Sequence, residues 1–413
     1  MNRGAMKYRD FRLLLAGGVL VGFAMPMQFL TQIFWIQDRY PDREVLYVSM
    51  IAASRGSAML LFGLVGGAFA DRLERRMVLL FAQTVTVTVH GVVALIMLTQ
   101  PFGSADIAVL LVFTFLAAGM MSIDQPARTA ATPAIVGMRD LPNGISLQMF
   151  AQQITFPLSL PLVGFLNDHL SPGTVYSLSL LVWALIIPLI LAMRFRSRGE
   201  GNRSVGVFMN ILEGLRYTRA DATIFAVITI VVAIQVLGMP GPATLGPTWM
   251  TKVLGLSPTE FGFMAMTWGL GTLAASIFYL VRSDLPAKGI SLWLSAAGFA
   301  VGAIVFGHSR LIPLTALANF GLGFCMVSTM VSATTISQTT VSDEMRGRVM
   351  GLFPLAMGLQ MLAGLPVGIF GQWLGLPLVF PILAWSALGT VLLVMTIQPG
   401  LRLVGRREQP AAA

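Results

Sequence analysis

Charge is scarce in this 413-residue chain. Only 11% of its residues are Asp, Glu, Lys or Arg, against about 25% in a soluble domain. A chain of this length with so little charge cannot cover a water-exposed globule, so a soluble class is excluded. Cysteine is nearly absent: Cys325 alone excludes a disulfide framework and any cysteine-based metal centre. The three histidines, His90, His169 and His308, fall in separate segments and give no metal-ligand spacing. No G-x-x-x-x-G-K-[ST] run occurs, so ATP is not an energy source supplied by this chain. No Ser/His/Asp or paired-carboxylate arrangement emerges either. Neither enzyme activity, metal nor cofactor is therefore expected. Alternating runs are also missing, which excludes a transmembrane barrel.

What is present is apolar length. Hydrophobic residues make up 56% of the chain and the mean hydropathy is +0.79, the signature of a polytopic membrane protein. Twelve segments are long enough to cross about 30 Å of hydrocarbon as helices. They lie near 11–36, 46–70, 78–99, 105–124, 145–167, 174–194, 222–247, 258–281, 288–307, 310–335, 348–371 and 376–397. The first is too long for a signal h-region and lacks a small-residue cleavage site, so it reads as a span. An arginine-bearing stretch, 195–221, divides the chain into residues 1–194 and 222–413, and reads as a connector between two six-helix bundles.

The net charge of +9 and pI near 10.4 could suggest nucleic acid, but the basic residues sit in short loops between apolar segments. With a cytoplasmic N-terminus and twelve spans, all of them face the cytoplasm except Arg39, Arg43, Arg55, Lys252 and Arg310. This positive-inside bias predicts both termini inside a cell membrane. The halves also repeat. Asp140 and Gly144, before the fifth span, recur as Asp343 and Gly347 before the eleventh. Each pair opens a Pro- and Gly-bearing helix, and a parallel repeat of this kind places a substrate site between the halves near the midplane.

The stretch GLVGGAFADRLERR at 63–76 ends an apolar helix in a burst of charge. Its G-x-x-x-D-R-x-x-R-R pattern resembles the loop between the second and third helices of major facilitator superfamily transporters, with Glu74 where glycine is usual. DQPARTAATPAIVGMRDLPNGISL (124–147) and SDEMRGRVMGLF (342–353) resemble blocks of the macrolide-efflux and enterobactin-exporter branch. The fifth span departs from the superfamily's antiporter pattern at Phe156. The resemblance implies an all-α fold of twelve helices in two pseudo-symmetric bundles. It also implies an inner gate built from Gly67, Asp71, Arg72, Arg75 and Arg76, with Arg346, Gly347 and Arg348 as partners. By the same resemblance Asp124 is the candidate for proton coupling; its structural alternative is an i,i+4 pair with Arg128.

Arg55 lies inside the second span, where an arginine costs about 2.5–3.5 kcal/mol on insertion scales. Two readings stay open for it: snorkelling to the interface, or facing a cavity to meet an anionic group. The remaining polar groups within spans are neutral. Gln28, Gln32, Gln152, Gln235, Asn319 and Gln360 are the cavity candidates, interspersed with Met25, Met27, Phe34, Trp35, Met120, Met121, Met239 and Met326. Flexible methionines and aromatics with a few amides suit amphipathic small molecules, although methionine is also an ordinary core filler. The expectation is a monomeric, proton-coupled exporter of an amphipathic drug, macrolide or siderophore. An uptake symporter and a non-transporting receptor are the alternatives.

Overall fold

The computed structural model describes residues 4–70, 74–197, 207–282 and 288–404. Among these the chain is helical throughout, without strands. The helices are α1 (Arg9–Arg39), α2 (Glu44–Ala70), α3 (Arg75–Thr99), α4 (Asp106–His169), α5 (Pro172–Ala184) and α6 (Ile186–Ala192). Then follow α7 (Val207–Ala220), α8 (Ala222–Ala233), the three-residue α9 (Gly246–Thr248), α10 (Pro258–Val281) and α11 (Lys288–His308). The last are α12 (Ile312–Thr340), α13 (Asp343–Met350), α14 (Leu352–Leu374) and α15 (Leu376–Ile397). Short π-helical pieces at Ile234–Gly238, Pro240–Leu245 and Trp249–Val253 link α8, α9 and the turn beyond. Pro240, Pro242 and Pro247 explain them, since each removes a backbone donor from the helical ladder.

Eleven helical stretches are long and apolar enough to cross a membrane, and one of them, Gly103–His169, runs for 67 residues. At 1.5 Å per residue that is roughly 100 Å, enough for two crossings and the turn between them. The turn is at Gly137, whose φ of 69° and ψ of 167° break the helix inside α4. Two crossings there and one in each of the other ten stretches agree with the twelve expected. The sequence predicts the fourth span at 105–124; the helix continues through the charged turn to Val136. Arg128 does not break it because Asp124, one turn earlier, neutralises the guanidinium.

Large apolar side chains crowd the outside: Leu280 and Trp373 are each 81% exposed, and Leu61, Phe263 and Leu317 are also exposed. In water such a surface would aggregate; in hydrocarbon it is the ordinary solvent face of a span. Helix ends are signed locally. Asp221 caps α8 by accepting from the Thr223 and Ile224 amides, both at 2.9 Å. Ser171 caps α5 ahead of Pro172.

The chain forms two compact units. The first comprises Met1–Arg203 with Gly255–Phe263, the second Ser204–Leu254 with Met264–Ala413. In the first, α1 packs on α4, α5 and α6 around Leu14, Leu79, Ala127, Ala131, Trp183 and Ile186. In the second, α11 packs on α12 and α15, and Trp249 stacks on Phe380 at 5.0 Å. Part of the expected connector is helical: α7 lies against α13 within the second unit.

Candidate functional site

The first unit gathers its polar groups into two buried constellations. One joins five helices. Gln32 on α1, 1% exposed, donates to Thr114 Oγ1 on α4 at 3.2 Å and to the Tyr176 hydroxyl on α5 at 3.3 Å. Its carbonyl oxygen accepts from Arg55 on α2 at 2.8 Å. His90 Nδ1 on α3 lies 2.7 Å from the same Tyr176 hydroxyl, and its ring stacks on Trp183. The Arg55 guanidinium also sits over the Phe29 ring at 4.9 Å. Arg55 is therefore held in the interior of its unit by Gln32 and Phe29. No carboxylate pairs with it among the described residues. A cation kept at span depth without a counter-ion is costly.

The second constellation surrounds Asp124, 1% exposed. Its Oδ2 accepts from Arg128 Nε at 2.5 Å and its Oδ1 from Gln83 Nε2 on α3 at 2.9 Å. The i,i+4 pair read from the sequence forms, and Gln83 completes it. Arg128 is 7% exposed, yet its two terminal nitrogens have no hydrogen-bond partner among the described residues. Arg128 also lines a recess with Leu14, Leu15, Gly18, Gln125, Thr129, Gln148, Ala151 and Gln152. The recess thus brings the cavity candidate Gln152 together with an arginine that the sequence had suggested only as a pairing partner.

Asp71 and Arg72 of the expected inner gate lie outside the described residues, and Gly67 falls near the end of α2. Arg75 and Arg76 begin α3. Arg75 donates to the Ala130 carbonyl at 2.7 Å and to Ser197 Oγ at 2.9 Å. Arg76 donates to the Ile190 and Leu191 carbonyls at the end of α6, supplying donors where a helix leaves its last carbonyls free. Arg346, Gly347 and Arg348 are on α13 in the second unit. Arg346 pairs with Asp343 at 2.6 Å and Arg348 with Glu213 of α7 at 2.9 Å. Acids in the first turn of α13 and Arg348 in its last turn suit the helix dipole.

The remaining cavity candidates are scattered. Gln28 on α1 and Gln235 in a π-helical piece are 3% and 1% exposed, and each keeps one side-chain atom without a partner among the described residues. Asn319 on α12 donates to the Met264 carbonyl and to Thr267 Oγ1, and Gln360 is buried on α14. Gln83, His90, Thr114 and Tyr176 were not foreseen. A signal existed for α3: Gln83, Thr86 and His90 recur at i, i+3 and i+7 on one face, and all three are buried.

The enterobactin exporter EntS of Shigella boydii is 26% identical over 410 residues, covering 94% of this chain and 89% of its own. The multidrug efflux pump Tap of Mycolicibacterium fortuitum is 24% identical over 336 residues, covering 78% and 79%. Among solved structures, the nucleoside transporter NupG superposes with a TM-score of 0.78 at 13% identity, covering 94% of this chain and 99% of its own. A D-xylose-proton symporter gives 0.69 at 13% identity, covering 94% and 96%. These likenesses establish the transporter fold of an all-α, multi-pass membrane protein. The model of the transmembrane secretion effector family matches residues 12–402, and the chain belongs to that family, within the major facilitator superfamily.

Proposed function

We propose that the protein is a proton-coupled exporter of an amphipathic small molecule, working by alternating access. The observation that carries the reading is the similarity, over most of both lengths, to two relatives named as an efflux pump and an exporter. Asp124 is the proposed proton carrier. Ionised, it is held by Arg128 and Gln83; protonated, it would lose the charge that binds Arg128 and release the guanidinium. A carboxylate whose partner changes with its protonation can couple proton movement to a shift between two states. Gly67, Asp71, Arg72, Arg75 and Arg76, with Arg346, Gly347 and Arg348, act as the inner gate in this reading. Both termini are cytoplasmic, and the monomer is the working unit in the cell membrane.

Flux in proteoliposomes tests this. With an imposed pH gradient, export of ethidium, erythromycin or a catechol siderophore should rise at least about tenfold, and Asp124→Asn should abolish the gradient-dependent part. Export unchanged after the gradient is collapsed overturns proton coupling. Gradient-driven accumulation in the opposite direction establishes uptake instead, and binding without flux establishes a receptor.

A further inference from the structure

We infer that the recess around Arg128 is a binding site for the oxyanion of an amphipathic molecule, a carboxylate or phosphate on an apolar tail. Arg128 is more than nine-tenths buried, and Asp124 occupies only its Nε edge. The opposite edge carries the two terminal nitrogens, both without partners among the described residues. That edge matches the two oxygens of a carboxylate or phosphate in parallel hydrogen bonds. Gln125, Gln148, Gln152 and Thr129 add neutral polar groups, and among the described residues no acidic side chain lines the recess. Leu14, Leu15 and Ala151 give it an apolar wall.

The small residues of α1 shape the site. A Cβ at Gly17 would lie 3.2 Å from a terminal nitrogen of Arg128, so the glycine lets the guanidinium sit against α1. A Cβ at Gly18 would meet nothing within 4 Å, because Gly18 faces the recess itself. The site deepens the export reading by naming the chemistry of one cargo group, and it rests on that reading only for the ligand's identity as cargo. Binding at equilibrium needs neither gradient nor transport, so it can fail while export stands, and the reverse.

The test uses the full chain in nanodiscs of phosphatidylcholine, with decanoate and decanamide as probes that differ in charge and not in tail. Decanoate should bind at least about tenfold tighter than decanamide. Gly18→Leu, which fills the recess without touching the ion pair, should cut decanoate affinity about tenfold or more. Arg128→Lys keeps a charge for Asp124 but loses the fork, and should shrink the carboxylate-to-amide preference. Equal binding of the two probes, or decanoate affinity unchanged in Gly18→Leu, overturns the site. Adding phosphatidylglycerol separates the sources of the oxyanion. Competition with decanoate shows that a lipid phosphate fills the same site, and undiminished decanoate binding assigns it to a soluble carboxylate.

Discussion

The two mouths that the sequence repeat aligns, around Asp140–Gly144 and Asp343–Gly347, are built differently. In the first unit the chain turns sharply at Gly137 inside one long helix. A short 3-10 turn, Gly4–Lys7, then straps the mouth: the Ala5 amide donates to Asn143 Oδ1 at 2.8 Å, Lys7 pairs with Asp140 at 2.6 Å, and the Tyr8 hydroxyl donates to the same carboxylate. In the second unit the mouth is a separate helix, α13, strapped by α7 through Glu213 and Arg348. Gly214 of α7 lies so close to α13 that a Cβ there would sit 2.7 Å from the Arg348 carbonyl. In both units a segment preceding the first span binds the mouth of that unit's fifth, but the charges are reversed. The strap is basic and the mouth acidic in the first; the strap is acidic and the mouth basic in the second. Conserving the strap while exchanging its chemistry suggests that holding the mouth matters more than the particular pair.

The largest expected break in the comparison is at Gly137. Its backbone lies in a region open essentially to glycine alone, so Gly137→Ala should cost about 1–3 kcal/mol. A lower midpoint of thermal unfolding in detergent would show it. The second mouth turns through Val341 and Ser342 with ordinary negative φ and has no equivalent weak point. An unchanged midpoint in Gly137→Ala would mean that the first mouth does not depend on this turn.

Much of this was legible beforehand, for identifiable reasons. Apolar runs of twenty or more residues announce spans because the bilayer demands them, and the Asp124–Arg128 pair follows from helical spacing alone. The turn was hidden because Gly137 sits in a stretch rich in Pro, Gly and charge, where several residues could have broken the helix. The five-helix cluster was hidden for another reason. Gln32, Arg55, His90, Thr114 and Tyr176 each look like an isolated polar residue in an apolar window, and only tertiary packing brings them together. Arg128 was visible as a pairing partner, but its second, unpartnered edge is a fact of packing that no spacing reveals.

A sharper test uses the repeated glycines. At Gly144 a Cβ would lie 3.3 Å from Phe11 and 3.4 Å from Thr132, while at Gly347 it would meet nothing within 4 Å. Both positions are helical, where alanine is favoured over glycine by about 0.5–1 kcal/mol. Gly347→Ala should therefore raise the unfolding midpoint. Gly144→Ala should be neutral or lower it, since crowding against Phe11 opposes the helical gain. The same substitution at two aligned positions is thus expected to differ in outcome, and equal shifts would mean that the mouths are packed alike after all.

The smallest expected effect concerns the straps themselves, and pH separates them. Lys7, outside the spans, has its pKa raised by its hydrogen bond to Asp140. Asp140, in the turn between two spans, has its pKa lowered chiefly by its hydrogen bond to Lys7. The lowered carboxylate stabilises the strap above its unfolded pKa of about 3.9, and that contribution is lost as pH falls through the folded value. The raised ammonium stabilises it below about 10.4, and that contribution is lost as pH rises through its folded value. The strap is thus fully paired between roughly pH 5 and 9 and loosens on the acid side as Asp140 takes up a proton. Spin labels on cysteines placed at the exposed Met6 and Ile145, with Cys325→Ser, would report it. The distance distribution should be narrow at neutral pH, broaden as the pH falls below the ordinary carboxylate range, and be broad throughout in Asp140→Asn, which keeps the shape of the side chain but loses its charge. A distribution that stays narrow in Asp140→Asn would assign the hold to the hydrogen bond from the Ala5 amide to the Asn143 side chain. The first mouth would then be strapped by a neutral hydrogen bond between a main-chain amide and a side chain, in contrast to the side-chain ion pair of the second.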